Sequence, residues 1–167
     1  ERVALFKAIS SEYIGACVDT GNSMALLEDP VITATALAPY AFSVHLKDQA
    51  VKQYDEGFLL GDIPLGHGCI DLKRVVAILK KAKPKVNFAL ELITRDALKV
   101  PVLTKRYWAT LNDAAKDDVL WIDRLLATRA AKELQQVSSL SEEERVKLED
   151  ENVNASLRYA HTELALV

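Results

Sequence analysis

No apolar run in this sequence reaches the roughly 18 residues that a membrane-crossing helix needs, so neither a membrane span within it nor a membrane partner is expected. Cysteine is scarce. Cys17 and Cys69 form no CxxC pair and sit in no cysteine-rich setting, which excludes a disulfide scaffold and leaves reduced thiols, with a cytoplasmic location as the expectation. Positive charge is not in excess either. The 21 Lys and Arg against 24 Asp and Glu give a net charge of −3, so there is no general basic surface and no nucleic-acid partner is expected. Internal repeats and low-complexity tracts are missing. No basic and apolar leader opens the chain, although it begins at Glu1 rather than Met, so a segment upstream would not be visible.

What is present is a half-apolar chain of 167 residues, the length of one domain and enough to bury a core. Three short apolar runs finish on polar residues: Tyr13-Ile14-Gly15-Ala16-Cys17-Val18-Asp19, Ala41-Phe42-Ser43-Val44-His45 and Val86-Asn87-Phe88-Ala89-Leu90-Glu91. Each reads as a buried parallel strand, covered by helices on its faces and therefore apolar almost throughout. A carboxylate or imidazole there has to be compensated, because desolvating it costs free energy. Three of them at equivalent strand ends point to one shared site.

Helices alternate with these strands. Residues 1–10 carry Val3, Leu5, Phe6 and Ile9 at helical spacing, and Asp29-Pro30 caps a second helix that ends near Pro39. Residues 71–82 place Leu72, Val75, Val76 and Leu79 on one face, with Lys80, Lys81 and Lys83 at the C-terminal end. Between them, residues 47–57 read as a long polar loop, followed by the glycine-punctuated segment 61–68. The β-α-β-α-β order predicts an α/β fold with functional residues at the strand C-termini. Three strands are too few for a closed (β/α)8 barrel, so the chain is either a small open α/β domain or the last three units of a larger barrel.

Asp19, His45 and Glu91 together form a hard-to-borderline ligand set, suited to one divalent Mn, Mg, Co or Zn ion. Singly, each has a plainer role: Asp19 as a turn former, His45 as a core histidine, Glu91 as the partner of Arg95 or Lys47. Their shared placement favours the site.

Val18-Asp19-Thr20-Gly21-Asn22, Val44-His45-Leu46-Lys47-Asp48, Pro64-Leu65-Gly66-His67-Gly68-Cys69-Ile70-Asp71 and Leu90-Glu91-Leu92 together resemble the xylose-isomerase-like TIM-barrel superfamily of sugar-phosphate isomerases and epimerases. The resemblance covers residues 1–92. It implies the C-terminal portion of a (β/α)8 TIM barrel, with Asp19, His45 and Glu91 on one divalent metal and a small carbohydrate as substrate. It also implies an isomerase or epimerase acting on a sugar or sugar-derived keto acid through an enediolate, with Glu91 as one of two proton-passing carboxylates. A dehydratase or decarboxylase of the same superfamily is the alternative, as is a non-catalytic barrel fragment. Substrate contacts fall on Asn22, Lys47, Asp48, His67 and Arg95. A fourth ligand, a glutamate on the preceding strand, has no counterpart before Asp19, and the expectation is that the N-terminal part of the barrel lies outside this sequence. Endonucleases of the same superfamily have further zinc ligands where this chain has Asn22 and Leu60-Gly61-Asp62, which disfavours a trinuclear zinc site.

Beyond Glu91, residues 92–103 read as an irregular connection that closes the barrel portion at 1–103. Residues 104–167 read as a helical extension. Thr104 caps a helix with Tyr107, Trp108 and Leu111, and 113–136 gives another with Val119, Leu120, Ile122, Leu125 and Leu126 as its stripe. Ser141-Glu142-Glu143-Glu144 is a capping box, opening a third helix with Val146, Val153, Leu157 and Leu164 on one side. Tyr107, Trp108 and Trp121 supply large apolar anchors that suit the extension to capping the barrel, forming a subunit interface or covering a neighbouring subunit's active site, and a homo-oligomer is expected.

Overall fold

The structure, a computed structural model, describes residues 1–109, 111 and 119–166. Helix α1 (Arg2–Ile9) leads to strand β1 (Ala16–Asp19). Helix α2 (Pro30–Leu37) starts where the Asp29 carboxylate accepts the N–H groups of Val31 at 2.7 Å and Ile32 at 3.4 Å, with Pro30 at the first helical position. Strand β2 (Ala41–Leu46) follows and runs almost directly into β3 (Asp48–Tyr54) and β4 (Gly57–Ile63). Helix α3 (Leu72–Ala82) is capped by Asp71, which accepts the Arg74 N–H at 3.1 Å, and buries the predicted stripe of Leu72, Val75, Val76 and Leu79. Strands β5 (Asn87–Leu90) and β6 (Leu98–Val100) and helices α4 (Lys105–Trp108), α5 (Val119–Arg129) and α6 (Glu142–Leu164) complete the chain.

The α/β expectation holds. β1, β2 and β5 form a parallel sheet in that spatial order, so each successive strand is added beside the previous one. Among the described residues this sheet does not close into a barrel. One face packs on α2 and α3: Val18 and Val44 are fully buried there with Met24, Leu27 and Leu79. Each such side chain contributes roughly 1.5–3 kcal/mol by leaving water. The opposite face carries Cys17, His45, Asn87 and Ala89 and is open.

Residues 47–63 correct the sequence expectation. They form an antiparallel hairpin of β3 and β4, and β6 joins β4 to make a second three-stranded sheet. Polarity misled because Asp48, Gln49 and Asp62 are buried polar residues. Four further expectations change. The helix capped by Thr104 is α4 and stops at Trp108, short of Leu111. The helix predicted at 113–136 is observed as α5 and ends at Arg129, its first six residues lying outside the described residues, and Leu120 points outward at 61% exposure. On α6, Val146 and Leu157 are exposed, while Asn152 and Ser156 are buried with Leu164. On α1, Leu5 and Ile9 are exposed and only Val3 and Phe6 pack inward, Phe6 stacking on Tyr40 with ring centroids 5.1 Å apart.

α6 has this polar buried face because it packs on loop backbone as well as on apolar groups. Its capping box is formed as predicted, Ser141 and Glu144 exchanging side-chain and backbone hydrogen bonds. Ser156 Oγ then accepts the Leu65 N–H at 3.2 Å, and the Tyr159 ring lies on Gly66. Gly66 has φ +83°, and a Cβ there would come within 2.1 Å of Tyr159 Cε2. Gly66→Ala is therefore expected to lower unfolding stability by about 1–3 kcal/mol, from left-handed strain and displacement of the ring. Urea unfolding with an unchanged midpoint would refute this.

Candidate metal centre

The ends of the parallel strands bring the site together. Asp19 stands opposite His45 in the ladder, and His45 opposite Ala89, two residues before Glu91. The pairing runs one residue further on each side, through Thr20 N–H to His45 O at 3.0 Å and Glu91 N–H to Leu46 O at 3.0 Å. Because side chains alternate across a strand, Asp19, His45 and Glu91 all emerge on the open face. Each offers one ligand atom, and these atoms lie within 4.8 Å of one another. Among the described residues, no further His, Cys, Asp or Glu belongs to this group.

The Thr20-Gly21-Asn22 turn fixes Asp19. Its Oδ1 accepts the N–H groups of Gly21 at 2.9 Å and Asn22 at 2.7 Å, and its Oδ2 accepts Asn22 Nδ2 at 2.9 Å. Gly21 allows close approach: a Cβ would come within 2.6 Å of Gln49 Oε1 and 2.9 Å of Lys47 Cδ. Lys47, two residues past His45, returns to the same face with its side chain only 3% exposed. Its Nζ lies 2.9 Å from Glu91 Oε1, 3.2 Å from Asp19 Oδ2 and 3.2 Å from Asn22 Oδ1. Thr20 Oγ1 holds the Lys47 backbone, accepting its N–H and donating to its carbonyl, both at 2.8 Å.

Charge follows from this geometry. Burial works against the Lys47 ammonium, but its hydrogen bond to Glu91 and the charges of Asp19 and Glu91 outweigh it and hold its pKa above the ordinary lysine value. Burial likewise disfavours ionised Glu91, yet Lys47 and then His45 hold its carboxyl below the usual glutamate value. Glu91 Oε2 is buried and accepts no hydrogen bond, while His45 Nδ1 touches it.

The other predicted substrate contacts divide. Asn22 and Lys47 are in the cluster. Asp48 is not: it is buried beneath the glycine loop, accepting the N–H groups of Gly66 and Gly68 at 2.9 Å on Oδ2 and those of Gln49 at 2.9 Å and Ile70 at 3.3 Å on Oδ1. Burial pushes its carboxyl above the usual aspartate value against those four amides. His67 is exposed in that loop. Arg95 pairs at 3.4 Å with buried Asp62, which accepts Gln49 Nε2 at 2.9 Å, rather than with Asp96 or Glu91. Sequence reasoning missed Thr20 and Gln49. Thr20 stood inside a quoted motif, whereas nothing local marked Gln49, whose side chain donates to Asp62 and packs beside Gly21.

A family model described as xylose isomerase-like TIM barrel matches residues 1–125. The chain belongs to that family. Among solved structures it is similar to a xylose isomerase-like TIM barrel protein from Mycobacterium smegmatis in complex with magnesium, at 17% identity and a TM-score of 0.49. The similarity covers 75% of this chain and 39% of that one, so the chain spans well under half the length of that neighbour. A search of curated proteins finds no match.

In this xylose isomerase-like TIM barrel chain the three donors fit a divalent cation on their own chemistry. Buried Glu91 Oε2 lies against His45 Nδ1, which brings a carboxylate oxygen and an imidazole nitrogen to one point. Carboxylate and imidazole donors suit borderline divalent ions, and donors about 2.1 Å from one ion lie roughly 3–4 Å apart. Small side-chain shifts reach that spacing, His45 Nδ1 and Glu91 Oε2 moving apart and the wider pairs drawing together. No described helix is long and apolar enough to cross a membrane.

Proposed function

We propose that this chain carries part of the active centre of a divalent-metal-dependent isomerase or epimerase acting on a sugar or sugar-derived keto acid. The observation that carries the reading is the convergence of Asp19, His45 and Glu91 from three parallel strand ends, in a chain whose family is generally enzymatic. A divalent ion bound there would act as a Lewis acid, favouring loss of the proton beside a carbonyl. Asp19 would be oriented by the Gly21 and Asn22 amides. Glu91 would move a proton at the substrate carbon, its pKa already depressed so that it is charged at neutral pH. Lys47 and Asn22 would hold substrate oxygens beside it. Further strands would complete the barrel, from the same polypeptide or a second copy. Support for this comes from β1 and β5, each paired on one side only among the described residues, and from exposed Leu5, Ile9, Tyr13, Ile14 and Phe42 near β1. A cytoplasmic protein with a small carbohydrate as partner completes the reading.

The test is solvent deuterium entering a panel of keto sugars and keto acids in the presence of Mn2+. Exchange that stops on chelation, without loss of water or CO2, is the expected result. Release of water or CO2 would move the reading to a dehydratase or decarboxylase. No exchange together with no stoichiometric metal would leave a non-catalytic barrel fragment, the second reading, which rests on the cluster having three donors among the described residues where the resemblance implies four.

A further inference from the structure

The two oxygens of Glu91 are already divided between different partners. Oε1 accepts a charge-assisted hydrogen bond from Lys47 Nζ at 2.9 Å, while Oε2 lies buried against His45 Nδ1. The surroundings of Lys47 fix that division. Its side chain is 3% exposed, and Thr20 Oγ1 clamps its backbone N–H and carbonyl. Its Nζ also donates to Asn22 Oδ1 at 3.2 Å, and its stem lies in the space that a Cβ on Gly21 would need. A lysine pinned in this way stays on Oε1 when an ion arrives at Oε2, so Glu91 offers that ion a single oxygen. The consequence depends on ion size. Mg2+ and Mn2+ favour octahedral geometry, which the narrow bite of a two-oxygen carboxylate distorts, whereas Ca2+ accepts more oxygens in a looser arrangement and gains from both.

We propose that Lys47 is the ion-selecting residue of this centre: by occupying Glu91 Oε1 it holds that carboxylate to one-oxygen ligation and turns the site toward small octahedral ions and away from Ca2+. The inference rests on the metal-centre reading above and adds to it which ions the site takes. What decides the selection is the number of oxygens Glu91 offers. A further ligand from outside the described residues, whatever charge it brings, leaves that number unchanged. Asp19 is restrained separately, because its Oδ1 accepts the Gly21 and Asn22 amides and its Oδ2 accepts Asn22 Nδ2. Glu91 is therefore the carboxylate whose mode of ligation Lys47 controls. Oε1 keeps a second lone pair beside the one Lys47 takes, which is compatible with the proton-moving role of Glu91.

Mn2+ and Ca2+, each titrated calorimetrically into the wild-type chain and into Lys47→Met, test this. Loss of an ammonium changes the electrostatic attraction for both ions alike, since they carry the same charge, so the ratio of the two affinities isolates the effect of the freed oxygen. The expected result is that Ca2+ affinity relative to Mn2+ rises at least about tenfold in Lys47→Met. An unchanged ratio in a folded Lys47→Met chain, as a purely structural or purely electrostatic lysine predicts, overturns the inference while leaving the metal centre standing. A ratio that moves toward Mn2+ overturns it as well. No binding of either ion to either chain overturns both this inference and the proposed function. Should Lys47→Met fail to fold, reductive methylation of the wild type decides. Lys47 should stay protected with Mn2+ present as it is without, and labelling that begins when Mn2+ is added overturns the inference, because the lysine has then left Glu91.

Discussion

Asp48→Ala is expected to lower unfolding stability by about 3–5 kcal/mol, with the amides of Gly66, Gly68 and Ile70 losing their protection from hydrogen exchange. The magnitude comes from what the truncation leaves behind. One buried carboxylate serves four backbone N–H groups, three of them contributed from about twenty residues further along the chain. Removing it strands those donors away from water, and no neighbouring side chain replaces the two oxygens. Asp48→Asn should recover only part of the loss, because its NH2 would face two N–H groups on one side. The pH dependence has a definite sign. Asp48 has a raised pKa in the folded chain, so its ionisation makes stability fall as pH rises from the ordinary aspartate value through its folded value. A loss below about 1 kcal/mol on urea unfolding of Asp48→Ala, or loop amides that keep their protection, would show that the glycine loop is held by α6 alone.

Asp48 also marks where sequence reading stopped working. Asp19, His45 and Glu91 were legible because each ends an apolar run, and alternation plus parallel pairing was enough to place them together. Helices α2 and α3 were legible from Asp29-Pro30 and from the Leu72, Val75, Val76 and Leu79 stripe with its Asp71 cap. The β3–β4 hairpin was not. Its first two residues are polar and buried, and the partners that compensate them come from Gly66–Ile70 and Asp62, which no local pattern announces. β6 is three residues long with Leu98 and Lys99 exposed, too short to carry a period. α6 turned only part of its expected stripe inward, Leu164 but not Val146 or Leu157, for a related reason. Asn152 exchanges hydrogen bonds with Gln135 and donates to Thr94, and Ser156 serves Leu65, so contacts with loop backbone and polar groups decided which side turned inward. For the hairpin and for α6 a long-range polar bond, invisible to a hydropathy pattern, outweighed the local periodicity.

Asp19→Asn and Glu91→Gln should each weaken Mn2+ binding by at least about 100-fold, and the pair should abolish it, because each removes a negatively charged donor from a three-residue cluster. The amides are preferable to alanines. Truncating both carboxylates would leave the buried Lys47 ammonium with Asn22 as its remaining partner, at a cost of about 3–5 kcal/mol, and loss of metal would then be confused with loss of fold. Asn and Gln keep an oxygen for Lys47 Nζ while removing the charge that a divalent ion needs. Proton linkage provides a second readout from Glu91. Its folded pKa is depressed below the usual glutamate value, so it contributes stability above that value, and the contribution is lost as pH falls through the folded pKa. Stability of the metal-free wild type should therefore drop on the acid side, below the ordinary glutamate pKa, and Glu91→Gln should flatten that limb. Unchanged Mn2+ affinity in the double variant would place the ion elsewhere and remove the centre. Unchanged acid behaviour in Glu91→Gln would instead remove the Lys47–Glu91 ion pair as the cause of the depressed pKa, leaving metal ligation to be judged on the titration alone.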